Sequence, residues 1–542
     1  MALQLKKLDN FSGRKGPLLL MILDGVGIGK PYEGNAVYMA KTPVLDQLMH
    51  GEFVTQLKAH GPAVGLPSDD DMGNSEVGHN AIGAGRVFAQ GAKLVGLSIG
   101  SGDIFKSDTW TTIVERGKAG GAVHFIGLLS DGNVHSHIKQ LFALINQCVQ
   151  EGIKRVRLHM LCDGRDVGEK SALDYIRPTQ DLLDKISSAN GYDYRIASGG
   201  GRMVTTMDRY EADWTIVERG WNAHVHGQAR PFKSAEQAVQ TMYDENPRMT
   251  DQYLGQFVIV DETGKPVGKI MDGDSVINFN FRGDRAIEIS RAFTEPNFDK
   301  FDRGRVPEVF YAGMMEYDGD LHIPAHYLVN PPAIDRTVSE YLAAAKVKMF
   351  AISETQKYGH VTYFWNGNRS GYIDKNLETY VEIESDKLPF DQAPKMKALE
   401  ITEKTIELLK SGHYRFGRLN FANGDMVGHT GVMDAAIEAM ETVDTCVGRL
   451  LDVVKQLDGV AIITADHGNL DEMWTEKNGV RSVKTAHTLN PVPFIIVDTS
   501  NRGEYKMSDV KDAGLSNIAG TILNLLGFEN VADYDKSLIT FE

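Results

Sequence analysis

"PLLLMILDG", residues 17–25, sets a continuous apolar run from Leu18 to Leu23 directly ahead of Asp24 and Gly25. A run this short, closed by turn chemistry, reads as a strand buried on both faces, the habit of strands in a parallel sheet. The same shape recurs in "AVHFIGLLSDG" (122–132), "RVRLHMLCDGRD" (155–166), "SVINFNFRGDR" (275–285), "GRLNFANGD" (417–425) and "GVAIITADHGN" (459–469). Between these runs lie helical patterns such as "HIKQLFALINQCVQEG", "ALEITEKTIELLKSG" and "DAAIEAMETVDTCVGRLLDVVKQL". Strands alternating with helices imply an α/β fold with largely parallel sheets, in which ligands bind beyond the carboxyl ends of the strands. Each run places its Asp, Arg or His residues there.

The chain has 542 residues, enough for two or more domains, and a formal net charge of −16. Such an acidic surface repels nucleic acid and anionic membranes, so any basic cluster is expected to be a local device. Cys148, Cys162 and Cys446 are too few and too scattered for a disulfide framework or a Cys-x-x-Cys zinc site. "MALQLKKLDNFSGRKGP" lacks the apolar core of a signal peptide, "SLITFE" carries no sorting signal, and no apolar run reaches transmembrane length. The expectation is a cytoplasmic protein without nucleic-acid or membrane partners.

Two passages break the pattern: the glycine-rich stretch from Gly83 to Gly91, and "IPAHYLVNPPAID", where Pro331 and Pro332 interrupt any regular element. They place one domain at 1–88 with 330–542, and an inserted domain at 89–329. "GVGIGK" (25–30) hints at a phosphate loop, but Pro31 follows the lysine where Ser or Thr is needed, so it reads as a turn that frees Asp24.

"DMGNSEVGHNAIGAGR" (71–86) sets Ser75 between Asn74 and Glu76. Asn74 and Ser75 both make good helix caps, and Gly83 and Gly85 suit a turn; nothing here matches a Gly-x-Ser-x-Gly elbow. A serine of this kind becomes a nucleophile only if a metal lowers its pKa. "ANGDMVGHTG" spaces Asp425 and His429 four apart, "TADHGN" sets Asp466 beside His467, "KTAHTLNPVPF" supplies His487, and Asp24 completes the set. Carboxylate and imidazole together suit manganese, zinc or cobalt, and a carboxylate-rich set also admits magnesium. Any one pair alone is ordinary turn chemistry; two clusters and an isolated serine match the parts of a two-metal phosphoryl-transfer site.

The middle stretch supplies His135, Arg165, Asp166, Arg202, Arg209, Arg282 and Arg285 from "SDGNVHSH", "CDGRD", "GGGRMVTTMDR" and "NFNFRGDR". Guanidinium forks suit carboxylate and phosphate oxygens, and so many at strand ends of an acidic chain point to an anionic ligand. The alternative is local pairing, Arg165 with Asp163 or Asp166 and Arg285 with Asp284.

"LDGVG", "NSEVGHNAIGAGR", "GDMVGHTG" and "TADHGN" together resemble the alkaline phosphatase superfamily, and within it the cofactor-independent phosphoglycerate mutase family, from about Leu18 to near the C-terminus. The resemblance implies a discontinuous alkaline-phosphatase-like parallel-sheet domain with an inserted α/β transferase domain. It implies a monomer that interconverts 3-phosphoglycerate and 2-phosphoglycerate through a phosphoserine on Ser75, with no bisphosphoglycerate cofactor. Two divalent ions go with it, manganese first, with magnesium or cobalt as alternatives. One would be held by Asp425, His429 and His487, the other by Asp24, Ser75, Asp466 and His467. By the same carry-over the arginines bind the phosphate and carboxylate of the substrate, His135 contacts it, His137 is structural, and Asp166 is the acid/base. Lys357, in "ISETQKYGH", would bind phosphate near Ser75. A metal-dependent phosphatase or a phosphopentomutase of the same superfamily is the nearest rival, and the arginine motifs weigh against both. An anion-binding regulatory protein is the rival from another class.

Overall fold

The computed structural model describes residues 3–66, 69–208, 213–318, 322–330, 332, 334–477, 480–484 and 487–541. The chain forms two compact units, Met1–Gln90 with Pro332–Glu542, and Gly91–Pro331. Each boundary falls two residues beyond the one drawn from the sequence. Gln90 belongs to the first unit because its backbone N–H donates to Gly65 O at 3.0 Å and its side chain to Asn80 Oδ1 at 3.1 Å. Of the two prolines read as a break, Pro331 lies outside the described residues.

The first unit is built on a seven-stranded sheet with the order Glu378–Ile383, Met349–Glu354, Phe416–Phe421, Leu18–Leu23, Val460–Thr464, Val492–Val497, Val54–Leu57. The first five run parallel and the last two are antiparallel to their neighbours. Leu18–Leu23 sits in the middle, Met21 lying opposite Leu419 on one side and Ile463 on the other, and every residue of it is buried. The uninterrupted hydrophobic sequence follows from that position, because a central strand covered on both faces has no polar side to present. The long helix Met433–Gln456 contributes Ala439, Val443, Val447, Leu450 and Val454 to the same core, at the spacing of one helical face.

The Gly91–Pro331 unit has its own seven-stranded sheet, ordered Arg230–Phe232, Phe257–Ile259, Asp193–Gly201, Arg155–Cys162, Val123–Leu128, Ser275–Asn278, Phe310–Gly313. Its last five strands are mutually parallel. The protein is thus an α/β chain of two parallel-dominated sheets, as the strand-helix alternation implies. Among the described residues no helix is long and apolar enough to cross a membrane.

One local reading needs correction. The glycine-rich segment after Ser75 is not a turn from Gly83: the helix Ser75–Ala84 runs through Gly83 and ends at Gly85, which takes a left-handed φ of 66°. Asn74, not Ser75, is the cap, its side chain accepting from Val77 N at 3.1 Å. Ser75 is the first helical residue, and its side chain is left for other partners.

Candidate active site

Parallel strands deliver the residues that follow them to one edge of the sheet. In the first unit Asp24 follows Leu18–Leu23, Lys357 follows Met349–Glu354, Asp425 follows Phe416–Phe421, and Asp466 and His467 follow Val460–Thr464. His487 reaches the same edge by the opposite route. It precedes Val492–Val497, and because that strand is antiparallel its start lies beside its neighbour's end. Gly25, at φ 76°, makes the turn after Asp24, where a Cβ would fall 2.6 Å from Asp425 N. The close approach of these two strand ends therefore requires glycine.

Ser75 Oγ is the point on which these residues converge. It donates to Asp24 Oδ1 at 3.2 Å, accepts from Lys357 Nζ at 2.5 Å, and lies 3.0 Å from His467 Nε2. Lys357 Nζ is also 2.8 Å from Asp425 Oδ2 and 3.2 Å from Asp24 Oδ1. Asp425 Oδ1 lies 3.0 Å from both His429 Nε2 and His487 Nε2. The rings of His467 and His487 stack with their centroids 3.9 Å apart.

The charges are mutually supporting. Burial alone would raise the Asp425 carboxyl, but Lys357 and His429 outweigh it and hold it well below the usual range. Asp466 is lowered likewise, by His467, His79 and Lys357 against its burial. Lys357 is raised by Asp24, Asp425 and Asp466 despite burial, and His467 is held up at about 9 by Asp466, Asp24 and Asp425. His487 goes the other way, pushed down to about 4 by burial and by His467.

Two groups of ligand atoms cluster within 4.8 Å: Asp425 with His467 and His487, and Asp24 with Asp466 and His467. His467 thus stands between the two sets, and His429 Nε2 joins the first at 3.1 Å from His487 Nε2. Asp466 Oδ2 is buried and without a hydrogen bond among the described residues, since its neighbour at 3.3 Å, His79 Nδ1, is taken up by Ser75 O at 2.8 Å. A carboxylate oxygen left so, amid imidazoles and further carboxylates, fits a divalent cation.

In the Gly91–Pro331 unit four neighbouring parallel strands do the same work. His135 follows Val123–Leu128, Arg165 and Asp166 follow Arg155–Cys162, Arg202 follows Asp193–Gly201, and Arg282 and Arg285 follow Ser275–Asn278. Arg202 is 1% exposed, with Nη1 2.7 Å from Asp163 Oδ1 and 2.5 Å from Asp166 Oδ2. Asp163 is thus the partner of Arg202, while its Oδ1 also accepts the N–H groups of Arg165 and Asp166 and so shapes the "CDGRD" turn. Burial raises the Asp166 carboxyl; Asp163 adds to this and Arg202 offsets part of it. The Nε of Arg202 and Nδ1 of His135 are buried without hydrogen-bond partners among the described residues. Arg285 Nη1 donates to Met207 O at 2.6 Å, and Arg282 Nε lies 3.2 Å from Asp284 Oδ1. Arg165 is exposed, and Arg209 lies outside the described residues. His137 caps the helix Ile138–Gln150, accepting from Lys139 N at 3.1 Å.

Three buried residues at the first site escaped the sequence reading. Asn420 donates to Asp24 Oδ2 at 2.7 Å, Asn469 to Asp425 Oδ1 at 3.3 Å, and His79 Nδ1 lies 3.3 Å from Asp466 Oδ2. His79 was the findable one, since four residues after Ser75 it shares that side chain's face of the helix.

The fold and ligand set define a class first: residues 16–530 match the metalloenzyme superfamily. Among similar proteins, the 2,3-bisphosphoglycerate-independent phosphoglycerate mutase of Trypanosoma brucei brucei is 50% identical over 99% of this chain and 100% of its own length. That of Zea mays is 49% identical over 96% of this chain and 95% of its own. A crystal structure of Leishmania mexicana phosphoglycerate mutase at low cobalt concentration superposes with a TM-score of 0.84 at 50% identity, covering 99% of this chain and 100% of that one. The chain belongs to the 2,3-bisphosphoglycerate-independent phosphoglycerate mutase family.

Proposed function

We propose that this protein interconverts 3-phosphoglycerate and 2-phosphoglycerate through a phosphoserine on Ser75, without a bisphosphoglycerate cofactor. The observation that carries the mechanism is the convergence of Lys357, Asp24 and His467 on the Ser75 hydroxyl, inside a double set of metal ligands. Asp425, His429 and His487 would hold one divalent ion, and Asp24, Ser75, Asp466 and His467 the other, with manganese the first choice and magnesium or cobalt able to substitute. Bound there, the ions would supply positive charge that lowers the pKa of the serine hydroxyl and offsets the negative charge of the phosphate.

Ser75 Oγ forms a bond to phosphorus as the bond from phosphorus to one glycerate oxygen breaks. In the second half the other glycerate hydroxyl takes the phosphoryl group back, so the atoms balance with no second substrate. Lys357 binds a phosphate oxygen during both transfers. Asp166 gives a proton to the departing glycerate oxygen and takes one from the hydroxyl that attacks, a task suited to a carboxyl whose pKa burial has raised. His135, Arg165, Arg202, Arg209, Arg282 and Arg285 bind the substrate's anionic groups by charge-assisted hydrogen bonds. We place the protein in the cytoplasm as a monomer.

Phosphorus NMR of purified protein with 3-phosphoglycerate tests the reading. Conversion to 2-phosphoglycerate that stops on chelation and returns with manganese is expected. Release of inorganic phosphate without isomerisation would overturn it in favour of a phosphatase.

A further inference from the structure

The Gly91–Pro331 unit buries an unbroken chain of polar side chains that none of the roles above uses. Asp274 Oδ2 lies 3.0 Å from His124 Nε2, and His124 Nδ1 is 2.8 Å from His159 Nε2. His159 Nδ1 is 2.6 Å from Ser198 Oγ, Ser198 Oγ 2.7 Å from His224 Nδ1, and His224 Nε2 2.8 Å from Thr206 Oγ1. Asp274 is 5% exposed and the other five 1% or less. His124, His159 and Ser198 stand on three neighbouring strands, so the chain crosses the sheet. At the Asp274 end it borders a cavity of about 690 Å³.

The direction of every hydrogen bond in this chain is fixed by its first member. A carboxylate only accepts, and Asp274 takes the N–H groups of Ala122 and Met271 as well as that of His124. A neutral imidazole has one N–H. With its proton on Nε2, His124 must accept at Nδ1, so His159 donates from Nε2 and accepts at Nδ1 from the Ser198 hydroxyl. Ser198 then accepts from His224 Nδ1, and His224 Nε2 accepts from the Thr206 hydroxyl. Burial pushes all three imidazoles down in pKa, His224 to about 3, which keeps them neutral.

The last donor sits at a strained point. Thr206 has φ 72°, a left-handed conformation that β-branched residues rarely adopt. Its N–H donates to Ile216 O at 2.8 Å, and Gly220 leaves room for it, since a Cβ there would lie 2.1 Å from Thr206 Oγ1. The next carbonyl, that of Met207, receives Arg285, and four residues before Thr206 Arg202 meets Asp166.

We infer that Asp274, His124, His159, Ser198, His224 and Thr206 form a positioning device that locks the loop 202–208, and with it Arg202 and Arg285, in its substrate-binding conformation. The inference rests on the function proposed above. It assigns to residues away from the reacting atoms a share in holding the substrate's anionic groups.

Two measurements test it. Thr206→Val keeps the β-branch and the volume but removes the donor, leaving His224 Nε2 buried and unsatisfied. KM for 3-phosphoglycerate should rise about 10-fold or more with a smaller change in kcat, and Thr206→Ser should return KM to within about twofold of wild type. Selective ¹⁵N-imidazole labelling reads the tautomers without substrate. At pH 7 His124 and His159 should carry their protons on Nε2 and His224 on Nδ1. An unchanged KM in folded Thr206→Val, or any other wild-type tautomer pattern, overturns the inference. Failure of the functional reading would appear instead as absence of isomerisation by the wild-type protein, and the tautomer pattern would still decide the chain.

Discussion

Replacing Lys357 by methionine is expected to cost the metal-free protein far more than the metal-loaded one. Lys357 is 4% exposed, and its ammonium lies within 3.2 Å of Asp24, Asp425 and Ser75. Without it, buried carboxylates face one another with a principal countercharge gone. Breaking a buried ion pair by removing one partner costs about 3–5 kcal/mol. Methionine is long and flexible enough to fill the space, so a cavity adds little. A divalent ion restores the missing positive charge and should recover much of the loss. At roughly 2–4 °C per kcal/mol for domains of 150–250 residues, and less for a larger unit, the metal-free midpoint should fall by about 5–10 °C. With saturating manganese the fall should be under half of that. Differential scanning calorimetry in chelator and in manganese reads both numbers. Equal falls in the two conditions, or none in chelator, would refute the view that Lys357 balances the charge of the metal ligands.

Ser75→Ala should abolish isomerisation yet keep metal affinity largely intact, since Asp24, Asp466 and His467 remain; wild-type turnover in the variant would remove Ser75 from the mechanism. Labelled free glycerate mixed with unlabelled 3-phosphoglycerate should leave 2-phosphoglycerate essentially unlabelled in early turnover, because the same glycerate receives its phosphoryl group back; rapid incorporation would show that it escapes. In chelator, stability should peak near pH 6.5. On the acid side His487 and His224, with folded pKa values of about 4 and 3, stay neutral while the unfolded chain takes up protons, so stability is lost as pH falls below about 6.5. On the alkaline side His467, held at about 9, contributes fully below about 6.5 and loses that contribution as pH rises through 9. Thermal unfolding across pH should show both slopes; His467→Asn should remove the alkaline one and, because His467 helps to depress His487, soften the acid one only in part.

Asp24, Asp425 and Asp466 were legible in the sequence for a physical reason. A buried strand must end where the chain turns, and a carboxylate at that turn stands out against an apolar run. His487 announced itself only as a histidine ahead of another such run. That it reaches the same edge depends on the antiparallel pairing of Val492–Val497, a relation between distant segments that no local pattern encodes. Lys357 was visible through family resemblance alone, since one lysine in a polar segment has no local signature. Asn420, His124 and His159 went unread because a single polar residue within a strand looks the same whether it faces a partner or merely interrupts the run. The exact helix start is not legible locally: Asn74 and Ser75 are both good caps, and contacts across the sheet edge settle which one serves.

The central position of Leu18–Leu23 has a consequence for how the protein is made. Its two neighbours, Phe416–Phe421 and Val460–Thr464, lie about 400 residues further along the chain. At roughly 5–20 residues per second, a ribosome takes on the order of 20–80 s to supply them. Throughout that interval six consecutive apolar residues have neither edge paired, while the contiguous segment 91–331 can already be complete. The emerging strand is therefore a sticky segment throughout that interval and a natural client for chaperones that hold extended apolar chain. His487 comes later still, so on the function proposed above the first ligand set is incomplete until the ribosome has passed that residue.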